Sequence, residues 1–122
     1  MLNLLAVGCG GFVGATVRYG VSRLFTVIGP TVFPWGTLIV NIIAAFCIGL
    51  VMGAVPQARF LDDRWVLAIN VGLLGALSTF SAFSIETWRL FQEGAYAAAV
   101  LNIGANVVLA LAFTGFGLWL AR

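Results

Sequence analysis

A chain of 122 residues, 62% hydrophobic and only 8% charged, with a mean hydropathy of +1.12, has too little polar surface to cover itself in water. Soluble domains average about 45–50% apolar and about 25% charged residues, so lipid is the expected solvent, and a soluble catalytic domain is excluded. The formal charge of +2 comes from six arginines spread along the chain, without the basic cluster that nucleic acid or an anionic lipid patch would need.

At about 20 apolar residues per crossing, the length suits four spans and little else, a single four-span transmembrane domain over residues 1–122. The first span is expected from Leu2 to Val27, ending near Gly29-Pro30. It reads as mature helix and not as a cleaved leader, because no short apolar core with a small-residue cleavage site breaks it. Pro34-Trp35-Gly36 opens the second span, which runs to about Pro56, with Trp35 placed as an interfacial anchor. The polar loop Gln57 to Arg64 follows. The third span is expected from Trp65 to Arg89 and the fourth from Tyr96 to Leu120. Gly10 with Gly14 and Gly49 with Gly53 have the four-residue spacing that lets helices approach closely.

Four spans put both ends of the chain on one side. Arg59, Arg64 and Arg122 fall on that side and Arg18, Arg23 and Arg89 on the other, so the positive-inside rule barely chooses an orientation. Either the first span or an insertion factor decides, or copies insert both ways and pair antiparallel, together making the inverted repeat that many transporters carry in one chain.

Polar side chains within apolar spans are functional candidates by default. Asn41 stands in the middle of span two, either bonding another helix or lining a pathway. Asn102, Asn106 and Thr114 share one face of span four, a row interrupted by Ala110. Arg18 either snorkels to the interface or attracts an anion at a pore mouth. Glu86, late in span three, either caps, pairs with an arginine or lines water. The stretch GALSTFSAFS, Gly75 to Ser84, sits in the middle of span three. Its hydroxyls either bond back within a continuous helix or free backbone carbonyls at a break, which membrane depth tolerates only where the break is buried or lines a cavity. Phe80 and Phe83, three apart, either pack or offer positively polarised ring edges to an anion.

These segments resemble the Fluc or CrcB family of small fluoride channels in all four spans. GGFVGATVRY (Gly10 to Tyr19) is similar to the family's glycine-rich segment ending in arginine, and GTLIVN (Gly36 to Asn41) to its GTLxVN signature. The most specific match is GALSTFSAFSIE (Gly75 to Glu86), against GGxTTFSTFSxE. The resemblance implies an all-α membrane protein of four transmembrane helices, the third broken at its centre, assembled as an antiparallel dual-topology dimer. It further implies a structural Na+ at the dimer centre, held by the Gly75 and Ser78 backbone carbonyls of both chains. Phe80, Phe83, Asn41, Ser81, Glu86, Asn106 and Thr114 would form the fluoride pathway, with Arg18 at the vestibule. Ala76 and Ser78 depart from the motif without touching a backbone ligand, whereas Ala82 and Ala110 each remove a hydroxyl from an expected pore-lining position.

The implied activity is passive fluoride export across the plasma (inner) membrane of a prokaryote, by a homodimer or by a heterodimer with a second family member. The alternative is a small dual-topology multidrug or metabolite exporter, though span one lacks the carboxylate that proton coupling requires. With no histidine, no cysteine pair and no paired carboxylates at catalytic spacing, the chain is not expected to be an enzyme.

Overall fold

A computed structural model describes residues 1–29, 31–55 and 63–122. Within these residues the chain is helical: α1 (Leu2–Ile28), α2 (Trp35–Ala54), α3 (Asp63–Leu67), a π-helical segment (Ala68–Leu74), α4 (Gly75–Leu77), α5 (Phe80–Gln92) and α6 (Tyr96–Leu120). Four stretches are long and apolar enough to cross a membrane: α1, α2, the composite Asp63–Gln92 and α6. The chain is therefore a multi-pass membrane protein. Span one ends one residue beyond the expected Val27, span two begins at Trp35 as expected, and span four has the expected bounds. Pro30, Pro56 and most of the polar loop, Gln57 and Arg59 included, lie outside the described residues.

The packing follows from lipid as solvent. The fully apolar core is small, with Val40, Ala44, Leu74 and Leu77 at its centre and Val21, Cys47, Ile48, Val51 and Leu73 around it. Without a hydrophobic drive between helices, close backbone approach has to hold the bundle. The one buried residue of α1 is Gly14. A Cβ on Gly10 would collide with the Ala68 carbonyl and one on Gly14 with the Leu73 carbonyl, so α1 lies against the π-helical segment through bare backbone. Gly49 and Gly117 do the same between α2 and α6, where added Cβ atoms would strike the Thr114 and Phe46 carbonyls. Both expected small-residue pairs are thus packing faces.

Span three is interrupted twice. At Ala68–Leu74 the helix widens to π geometry, with the Gly75 N–H reaching back to the Asn70 carbonyl. At Ser78 (φ −73°, ψ 149°) and Thr79 (φ −148°, ψ 117°) the backbone becomes extended, and α5 restarts at Phe80 with the Thr79 hydroxyl capping the Ala82 N–H at 3.2 Å. The expected break is therefore present, two residues long. At the far end Gly94, the single described residue of positive φ (74°), closes α5 with paired bonds from Gly94 N–H to the Phe91 carbonyl and from Ala95 N–H to the Leu90 carbonyl. Glycine takes this left-handed position without steric cost, and the resulting C-cap turns the chain directly into α6.

Candidate functional site

Asn41 meets the break in span three. Its Oδ1 accepts the Thr79 N–H at 2.8 Å, while its Nδ2 approaches the Thr79 carbonyl at 3.4 Å. One side-chain amide from α2 thus brackets Thr79, the residue at which the helical ladder is interrupted. In an unbroken helix the Thr79 N–H would bond the Gly75 carbonyl, and the Ala82 N–H would bond that of Ser78. Both donors are diverted, the first to Asn41 and the second to the Thr79 hydroxyl. The break thus interrupts the ladder over the carbonyls of Gly75 to Ser78, the stretch that contains both residues singled out as cation ligands.

A cavity of about 350 Å³ opens beside the break. Helix α2 contributes Asn41, Ala44, Ala45 and Ile48; span three contributes Gly75, Ser78, Thr79, Phe80 and Phe83; α6 contributes Asn106, Ala110 and Thr114. Six of the ten expected site residues, Asn41, Gly75, Ser78, Phe80, Phe83 and Asn106, meet here, and Thr114 makes a seventh. Phe83 is buried, at 8% exposed, whereas Phe80 is 78% exposed, and their ring centroids lie 5.2 Å apart at 54°. Phe83 thus packs in the interior, while Phe80 turns most of its ring outward. Ala110 lies in the lining too, an apolar position between Asn106 and Thr114. The Thr114 hydroxyl donates across to the Ala45 carbonyl at 3.1 Å, so its proton is turned away from any cavity ion.

Ser81, Glu86 and Arg18 do not join this lining. Ser81 is exposed and its hydroxyl lies 3.2 Å from that of Thr79, one step behind the break. Glu86 lines a second cavity of about 330 Å³ between the end of α1 and the start of α2, beside Ser22, Thr26 and Trp35. Its Oε1 accepts the Thr37 hydroxyl at 2.7 Å, and its buried Oε2 has no hydrogen-bond partner among the described residues. Arg18, half-buried on α1, borders neither cavity, and its buried Nε is likewise without a partner there. Ser84 donates back to the Phe80 carbonyl at 2.8 Å, as a hydroxyl in a continuous helix does.

Two contributors, Thr37 and Thr87, escaped the sequence reading, and Asn102 was read only as sharing a face with Asn106. Thr37, one turn before Asn41, was visible only as part of GTLIVN. Thr87 donates to the Phe83 carbonyl at 2.7 Å and accepts from Asn102 Nδ2 at 2.9 Å. Asn102, fully buried, accepts Asn106 Nδ2 on both its backbone oxygen (3.0 Å) and its Oδ1 (2.9 Å), and Asn106 Oδ1 in turn accepts from Asn41 Nδ2 at 2.9 Å. The four-residue spacing of Asn102 and Asn106 signalled a shared face, but nothing in the sequence tied that face to Thr87.

No group of three or more His, Cys, Asp or Glu side chains able to hold a metal occurs among the described residues, so any cation held here would depend on other oxygens, such as backbone carbonyls. Chemically, the main cavity brings together two side-chain amides, two phenyl rings and the interrupted backbone of span three in largely apolar surroundings.

Comparison with known proteins agrees with the architecture. The family model described as "CrcB-like protein, Camphor Resistance (CrcB)" matches residues 5–118. A protein of Aeromonas salmonicida named "Fluoride-specific ion channel FluC" is 39% identical over 120 residues, covering 98% of this chain and 96% of its own. Proteins of the same name are 39% identical in Geobacter sulfurreducens, over 100% of this chain and 98% of the relative, and 42% identical in Shewanella amazonensis, over 96% and 94%. With four spans, a break in the third and a family match over nearly its whole length, the chain belongs to the CrcB family.

Proposed function

We propose that this protein is a fluoride-selective ion channel of a bacterial plasma membrane, through which fluoride leaves the cell passively. The observation that carries this reading is the end-to-end similarity to relatives named as fluoride-specific channels. The cavity beside the break supports it, because an amide N–H and phenyl ring edges suit a small anion. Fluoride enters cells as neutral hydrogen fluoride and is trapped as the ion. An inside-negative potential of about 100 mV favours anion exit by about 2.3 kcal/mol per charge, so no pump is needed. The pathway must replace the hydration shell of fluoride while offering larger halides too little room. The exporter alternative lacks support, since α1 carries no carboxylate.

The expected result in liposomes is fluoride efflux, read by a fluoride electrode, that requires an ionophore to balance charge, with chloride efflux far slower. Equal chloride efflux would remove the selectivity, and efflux indifferent to the ionophore would mean coupled transport instead of a channel.

The same reading includes an antiparallel homodimer with a sodium ion on its axis. The carbonyls of Gly75 and Ser78 are among those that lose their ladder donors at the break, and two chains would bring four hard oxygen ligands to a hard cation. In sodium-free medium the dimer should dissociate at lower dilution or refold more slowly, while Ser78→Ala should change little because only its backbone would be a ligand. A cysteine placed at Arg122 should be labelled from both sides of the membrane in cells. Labelling from one side only would require a second, oppositely oriented chain, which is the heterodimer.

A further inference from the structure

Hydrogen-bond direction, not the presence of polar groups alone, decides whether a cavity favours an anion or a cation. An amide that turns its N–H edge inward suits an anion, and the same amide reversed presents a carbonyl. Two backbone groups settle the direction here. The Thr79 N–H is only a donor, so the atom of Asn41 facing it at 2.8 Å is oxygen. The Asn102 backbone oxygen is only an acceptor, so the atom of Asn106 facing it at 3.0 Å is nitrogen. Between these ends Asn41 Nδ2 meets Asn106 Oδ1, donor to acceptor, at 2.9 Å.

The rest of the chain keeps Asn106 from turning. Its second amide proton goes to Asn102 Oδ1 at 2.9 Å, which directs Asn102 Nδ2 to the Thr87 oxygen at 2.9 Å. Thr87 accepts there because its own proton is committed to the Phe83 carbonyl at 2.7 Å. Both protons of Asn106 are therefore occupied, although the residue lines the cavity. Of the protons on Asn41 Nδ2, one is held by Asn106 and the other has only the long 3.4 Å contact to the Thr79 carbonyl, so it is the amide proton most readily recruited by an ion.

We propose that Thr87 and Asn102, which do not line the cavity, are positioning residues: by saturating the Asn106 amide they keep its oxygen as the acceptor of Asn41 Nδ2, reinforce the orientation that the Thr79 N–H gives Asn41, and so support the cavity's preference for anions. Asn106 then acts through Asn41 and is not itself the donor to the ion. This deepens the channel reading and rests on it for the identity of the ion, but not for the direction of the relay.

The test uses Thr87→Val, which keeps the shape and deletes the acceptor of Asn102, and Thr87→Ser, which restores it. Each is measured as fluoride efflux per reconstituted protein, as the fluoride-to-potassium permeability ratio, and as the side-chain amide resonance of Asn41 in micelles, assigned by its disappearance in Asn41→Asp. Thr87→Val should slow efflux by about three- to tenfold, lower the permeability ratio and shift the Asn41 signal. Thr87→Ser should return all three to the wild-type values. An unmoved Asn41 resonance in folded Thr87→Val, or a Thr87→Ser variant as altered as Thr87→Val, would overturn the relay. If the wild type carries no fluoride while the Asn41 signal shifts and is rescued, the relay stands and the channel reading falls.

Discussion

Replacing Asn41 by aspartate should abolish fluoride efflux while leaving the fold in place. One carboxylate oxygen still accepts the Thr79 N–H that Asn41 Oδ1 holds at 2.8 Å, and more strongly for being charged, so the break persists. The other oxygen takes the place of Nδ2, where it faces Asn106 Oδ1 at 2.9 Å and the Thr79 carbonyl at 3.4 Å. Asn106 is not free to rotate and offer a proton instead, because its amide nitrogen is committed to both oxygens of Asn102. The cavity then contains a fixed negative charge with no donor beside it. At about 4 Å and an effective dielectric of about 20, two like charges repel by about 4 kcal/mol, equivalent to about a thousandfold fall in flux. Electrode-monitored efflux from liposomes gives the rate, and size-exclusion chromatography of the same preparation gives assembly. Wild-type flux from a well-folded Asn41→Asp protein would mean that ions pass elsewhere and that Asn41 serves only to hold the break.

The second large effect is expected where α2 and α6 touch through glycine. Gly117→Val would drive a branched side chain into the Phe46 carbonyl and towards the Leu50 nitrogen, which belong to backbone and have no rotamer by which to give way. Overpacking of this kind costs about 3 kcal/mol. The two helices would have to part, breaking the Thr114 to Ala45 bond on the same face. Gly104→Ala on the same helix is the contrast. It has open space around it, and alanine favours a helix over glycine by about 1 kcal/mol, so stability should hold or rise. Thermal unfolding in detergent, followed by loss of the monodisperse peak, ranks the two. Equal losses at both positions would mean that packing between chains, and not between α2 and α6, limits stability.

How much of this was legible in the sequence varied with the kind of interaction. Span four was placed to the residue because α6 is set by local features, a Gly94 turn before it and 25 uninterrupted residues within it. The break was legible as well, since the serines and threonines of GALSTFSAFS favour bonds to nearby backbone over the ladder. What holds the break open was not. Asn41 is 38 residues away from Thr79, and no local pattern distinguishes an asparagine that clamps a peptide from one that only lines a pore. The two alternatives posed for it turned out to be compatible, as one amide edge serves the clamp while the residue also borders the cavity. The π-helical segment gave no signal either, because AINVGLL reads as ordinary apolar helix. It lies where α1 packs through Gly10 and Gly14, a contact made by another span. Glu86 was singled out for its charge, but its separation from the main cavity depends on where the end of α1 falls.

The clamp also orders events during synthesis. Span three leaves the ribosome as a sequence able to form nearly continuous helix, and what replaces its missing bond at Thr79 is carried by α2, which precedes it. The first partner of the break is therefore already made when Thr79 emerges. Asn106, which fixes the other edge of the same amide, arrives only with the final span. A nascent chain of three spans can thus hold the interruption with the Asn41 oxygen already on the Thr79 N–H, and α6 adds a second hold on the same amide when it docks. The interruption belongs to the pairing of two spans, and the one that closes over them locks the amide they share.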